Sequence, residues 1–223
     1  PVPSDQKMFP AERIQFTEEL PEGRNWYIFV AVDPNRKQNR TSDPGVVCAY
    51  ARSHLGELVE LATTYRKFGV NDVVETIGAY AKTWKPEVVF IEDTAGQTYL
   101  LEWIAQWKNE HGLYFRVQPV SRGPTQHKGN RILALQPVVE TGKLWVKSRE
   151  SPVYKEMLDY PFSKSDHALD ALSDIQRFGY NPAAPPSAKK VLRGTSDYER
   201  LTVRRLHEQP KEGVLEIGTG GKW

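Results

Sequence analysis

Trp26–Val32, WYIFVAV, followed at once by Asp33-Pro34, decides how the rest of the chain is read. Aromatic and β-branched side chains suit a pleated, buried strand, and the proline ends it because it cannot donate to a ladder. A polar loop, Asn35–Pro44, leads to a second strand at Gly45–Arg52. A third, Glu57–Tyr65, follows a short turn at Ser53–Gly56. Strands in sequence with short connections predict an antiparallel meander.

Outward from this meander the period changes. Val70–Trp84 has apolar residues at 70, 73, 74, 77, 80, 81 and 84, the spacing of a helix with one buried face. Glu87–Ile91 predicts a short apolar strand, Gln97–Glu110 a second amphipathic helix and Leu113–Val120 another strand. Asn130–Glu140 reads as helix, with Pro137 expected to end or kink it. Lys143–Val146 reads as a short strand, Val153–Leu158 as a short helix and Asp166–Phe178 as a final helix. A meander followed by helix–strand alternation predicts an α/β fold, a mixed β-sheet flanked by helices on both faces. This is the element order of the ribonuclease H-like fold, which by itself does not define function.

Residues 1–23, with prolines at 1, 3, 10 and 21, read as a linker or an arm packed on the surface. Residues 24–180 are the expected globular domain, and 181–223 a basic C-terminal extension opening on a proline-rich stretch. The chain has 223 residues and 39% hydrophobic content, enough for one ordinary core. A net charge of only +2 means that any nucleic-acid surface must be local. The single Cys48 excludes an internal disulfide and a multi-cysteine zinc site, fits a reducing setting, and lies in an apolar run where a buried, inert thiol is expected. No apolar run approaches the roughly 18 residues that a membrane span needs, and the first twenty residues do not read as a signal peptide.

Carboxylates carry the functional signal. Asp33 ends the first strand, Glu92 and Asp93 end the strand EVVFI, and Asp166 and Asp170 stand four apart at the start of the last helix, on one face. If the two strands are parallel neighbours, their acids emerge at one sheet edge. Acids gathered there repel one another unless a cation neutralises them, and hard oxygen donors suit Mg²⁺ or Mn²⁺. Two such ions roughly 4 Å apart activate a water and stabilise a leaving oxygen in phosphodiester hydrolysis. Each acid also has a plainer explanation: a turn at Asp33, a helix cap at Glu92 or Asp93, a macrodipole acid at Asp166, a solvated face at Asp170 and Asp174. Against the last, Asp170 falls among Ala168, Leu169, Ala171, Leu172 and Ile175, so its desolvation needs an offset. A metal would provide one.

YIFVAVDP, VVFIEDTAGQTYLLEWI and SDHALDALSDI, in this order, resemble the acidic motifs of phage large-terminase nuclease domains. HKGNRILALQPVVETGKLWV and PVYKEMLDYPF resemble that family's intervening segments, and the resemblance runs from about Trp26 to Tyr180. It implies catalytic roles for Asp33, Glu92, Asp166, His167 and Asp170, and metal ligation by Asp33, Glu92 or Asp93, Asp166 and Asp170. The third motif departs from the commoner pattern, which has a second aspartate where His167 stands. His167 is left to orient water, contact phosphate or coordinate directly.

The implied activity is a metal-dependent endodeoxyribonuclease with two Mg²⁺ or Mn²⁺ ions, cutting concatemeric double-stranded DNA with little sequence preference. Arg122, Lys128 and Arg131, around a glycine-containing loop, are the first candidates for gripping phosphate, and Arg36 and Lys37 the second. The resemblance further implies an ATPase domain, a portal and a small terminase subunit as partners, in the host cytoplasm. No G-x-x-x-x-G-K-[ST] loop occurs, so the chain is read as an excised C-terminal half. The alternatives are another ribonuclease H-like nuclease, of Holliday-junction resolvase or transposase type, and a DNA- or portal-docking module without catalysis.

Overall fold

The computed structural model describes residues 8–34, 44–93, 98–121 and 127–185. A 3-10 turn at Ala11–Arg13 precedes β1 (Gln15–Phe16), after which β2 (Trp26–Asp33), β3 (Gly45–Ser53) and β4 (Leu58–Arg66) form the expected antiparallel meander. Then come α1 (Val70–Trp84), β5 (Val88–Asp93), α2 (Thr98–His111) and β6 (Arg116–Ser121). The chain continues through α3 (Lys128–Leu133), α4 (Gln136–Glu140), β7 (Leu144–Val146), α5 (Pro152–Asp159) and α6 (His167–Phe178). The single helix expected at Asn130–Glu140 is two: α3 ends at Leu133 and Pro137 sits in the first turn of α4, where its missing N–H costs nothing.

Among the described residues the sheet has seven strands, in the order β1-β7-β4-β3-β2-β5-β6. β2 pairs antiparallel with β3 on one side and parallel with β5 on the other, so it is the hinge between the meander and the parallel half. Both faces of the sheet are covered. Phe29, Ala31, Val88 and Phe90 pack with α3, α4, α5 and α6, whereas Val30, Val32, Val89 and Ile91 pack with α1 and α2. Double coverage is why these strands read as continuous apolar runs rather than as alternation. On the second face the backbone of Gly78 lies against the Trp107 indole; a Cβ there would stand 2.2 Å from the ring.

The N-terminal segment is part of the sheet and not only an arm on its surface. β1 pairs parallel with β7, and Phe9 and Ile14 are buried, with the Phe9 ring 5.7 Å from that of Tyr160. A two-residue strand is too short to show a period in sequence. At the other end, Arg52 donates to the Asn181 side chain and Asn25 to the Ala183 carbonyl, so the compact unit closes at Pro185. Cys48 is fully buried and burial pushes its thiol pKa up, in keeping with an inert core residue.

Candidate active site

Strand parity assembles the site. Phe29 and Ala31 face the α6 side of the sheet, so Asp33, two residues further along β2, continues that face. Val88 and Phe90 do the same on β5, which places Glu92 on the α6 side as well. Val32 lies opposite Ile91 in the parallel pair, so Asp33 and Glu92 leave the sheet side by side at one edge. Asp93 closes β5 opposite Ser121, its side chain outside the described residues. The first turn of α6 meets this edge: His167 Nδ1 is 3.2 Å from Asp33 Oδ2, and Asp33 itself is buried. The hydrogen bond to Asp33 raises the His167 pKa above its ordinary value; burial opposes it.

Protein cations stand on the two acids of the last motif. Lys128, opening α3, donates to Asp166 Oδ1, with Asp170 Oδ2 at 3.9 Å. Arg131, one turn on, forks onto Asp170: Nε and Nη2 reach Oδ1 at 3.0 and 2.8 Å, and Nη2 reaches Oδ2 at 2.9 Å. Asp170 is 1% exposed and Asp174 2%, so neither lies on a solvated face. The desolvation of Asp170 is offset by a buried guanidinium and does not by itself call for a metal. Arg131, expected among the phosphate-gripping residues, is instead directed inward. Arg36, Lys37 and Arg122 lie outside the described residues.

Glu156 on α5, absent from the expected site, organises this turn. Its Oε2 accepts the backbone N–H of Leu169 at 3.0 Å, satisfying one of the amides left open at the start of α6. Its Oε1 accepts Ser165 Oγ, which in turn pairs with the hydroxyl of Tyr65 at the end of β4. Burial raises the Glu156 pKa, and the bonds from Leu169 and Ser165 lower it. A sequence signal did exist: Glu156 lies three residues after buried Val153 and next to buried Met157, on the apolar stripe of α5. Gly45 is a second unforeseen element. A Cβ there would stand 2.9 Å from the Asp33 carbonyl oxygen, so β3 can start beside Asp33 only without a side chain.

Asp33, Glu92 and Asp166 are hard oxygen donors in the type and charge that Mg²⁺ or Mn²⁺ takes. At this edge the Lys128 ammonium stands on Asp166, and the His167 imidazole on Asp33. As arranged here, no group of three or more His, Cys, Asp or Glu side chains among the described residues is close enough to hold one ion. The donor chemistry fits a divalent cation.

Strand order, covered faces and acids at the edge of β2 and β5 define a ribonuclease H-like fold. Its solved counterparts include the large terminase nuclease of thermophilic phage G20c. The structure of that nuclease with bound magnesium aligns with a TM-score of 0.53 and 15% identity, over 78% of this chain and 98% of that one. The same nuclease with bound zinc aligns with a TM-score of 0.52 and 16% identity, over 78% of this chain and 99% of that one. The chain thus resembles a terminase nuclease domain over most of its length, a likeness of fold. No family model and no curated protein matches the sequence.

Proposed function

We propose that this chain is the metal-dependent DNA endonuclease domain of a viral genome-packaging terminase, cutting concatemeric double-stranded DNA with little sequence preference. The observation that carries this reading is the meeting of Asp33, Glu92 and the first turn of α6 at one sheet edge. Asp33, Glu92 and Asp166 would hold Mg²⁺ or Mn²⁺ as a pair, and the ions would supply activation of water and neutralisation of charge on the leaving oxygen. Asp93 remains a proposed additional ligand. Asp170, forked by Arg131, ties α6 to α3 and holds the acid turn in place. His167 fixes one oxygen of Asp33 and so orients the other. Arg36, Lys37, Arg122 and Lys128 supply the sequence-tolerant phosphate contacts. An ATPase domain, a portal and a small terminase subunit complete the machine in the host cytoplasm.

Supercoiled plasmid incubated with Mn²⁺, Mg²⁺, Ca²⁺ or EDTA tests the reading. Nicking and linearisation are expected with Mn²⁺ or Mg²⁺, none with EDTA, and loss of cutting in Asp33→Ala. A folded protein that cuts in none of these metals, or an Asp33→Ala variant as active as the parent, overturns it. Preference for a four-way junction over linear duplex would move the assignment to a resolvase.

A further inference from the structure

Resting on the metal-nuclease reading above, we infer that Lys128 is an exchangeable counterion that couples substrate binding to metal loading. Its ammonium lies on Asp166 Oδ1, an oxygen of one of the proposed metal ligands. The pair is open to solvent, with side-chain exposures of 36% for Lys128 and 32% for Asp166. Three residues on, Arg131 makes the opposite arrangement, buried and bidentate on Asp170, and is held there. Lys128 therefore can leave where Arg131 cannot. Its compact ammonium on a flexible stem binds phosphate as a point charge, without the geometric demand of a fork.

Two competitions follow. Without DNA, a divalent ion must displace Lys128 from Asp166, so the pair weakens metal binding. When a DNA phosphate arrives, it draws Lys128 away and leaves Asp166 open to the ion. Substrate and metal then each favour the other by one coupling factor, reciprocal by thermodynamic necessity. In the absence of DNA the acid edge is held by the protein's own cation, which restrains loading until a strand is in place.

Isothermal titration of Mn²⁺ into the DNA-free protein tests the first competition. Lys128→Gln should bind Mn²⁺ about two- to fivefold more tightly than the parent, the range an exposed ion pair allows, and Lys128→Arg should bind no more tightly than the parent. Lys85→Gln, at the C-terminal end of α1 before the start of β5, removes one charge far from the acids and should leave the affinity near the parent value. Ca²⁺ titrated with and without a duplex oligonucleotide tests the second. DNA should tighten Ca²⁺ binding by a larger factor in the parent than in Lys128→Gln. Equal Mn²⁺ affinities for Lys128→Gln and the parent, or equal gains in Lys85→Gln and Lys128→Gln, overturn this inference and leave the nuclease reading intact. An unchanged DNA effect on Ca²⁺ in Lys128→Gln overturns the coupling. A parent protein that binds no Mn²⁺ or Ca²⁺ overturns both.

Discussion

Two ion pairs connect the same two helices and differ in almost everything but charge. Arg131–Asp170 is buried and bidentate, with side-chain exposures of 9% and 1%. Lys128–Asp166, one turn earlier on each helix, is single-contact and about a third exposed. In the interior a charge without its partner has no water to turn to, so the first pair acts as a latch. At the surface water screens both partners, and the second pair is free to exchange. Burial, rather than residue type, separates the pair held in the interior from the pair open to solvent.

Breaking the latch should have the largest effect. Arg131→Ala leaves the Asp170 carboxylate buried opposite a cavity and should cost about 3–5 kcal/mol in chemical denaturation. Replacing both partners, Arg131→Met with Asp170→Leu, should recover most of that loss. A double variant as unstable as the single one would mean that the pair does more than hold helices together.

The surface pair should barely register in the same experiment. Lys128→Gln should change stability by less than about 1 kcal/mol, and the difference should shrink as salt rises. A loss comparable to that of Arg131→Ala would erase the distinction between the two pairs.

The third contact at this edge, His167 with Asp33, adds a smaller, pH-dependent effect. The folded-state pKa of His167 is raised above the ordinary 6.5 by its hydrogen bond to Asp33. Its contribution to stability is therefore full below about pH 6.5 and fades as pH climbs through the raised value. Melting temperatures of the metal-free protein should fall over that window, and fall less in His167→Gln. Parallel pH profiles for the two proteins would show that the contact does not stabilise the fold.

Much of the architecture was legible in residue order. The periodicity of Val70–Trp84 coincides with α1 end to end, because a helix packed on a sheet must place apolar residues every three or four positions. The acids at strand ends were equally plain, since Asp33 follows an apolar run and stops it. Less legible was the N-terminal segment, where Phe9 and Ile14 join the core through a strand of two residues.

Sequence by itself determined most of the elements, the doubly covered sheet and the positions of the acids, because local period and strand ends are properties of neighbouring residues. Only the tertiary structure decided what each acid meets. Asp166 and Asp170 share one helical face in sequence, yet Lys128 and Arg131, 38 and 39 residues before them, give one an exchangeable partner and the other a buried one. Glu156 likewise becomes the support of α6 only when α5 packs beside it. Partners so far apart are chosen by packing, and no local pattern records which charge will be left without water.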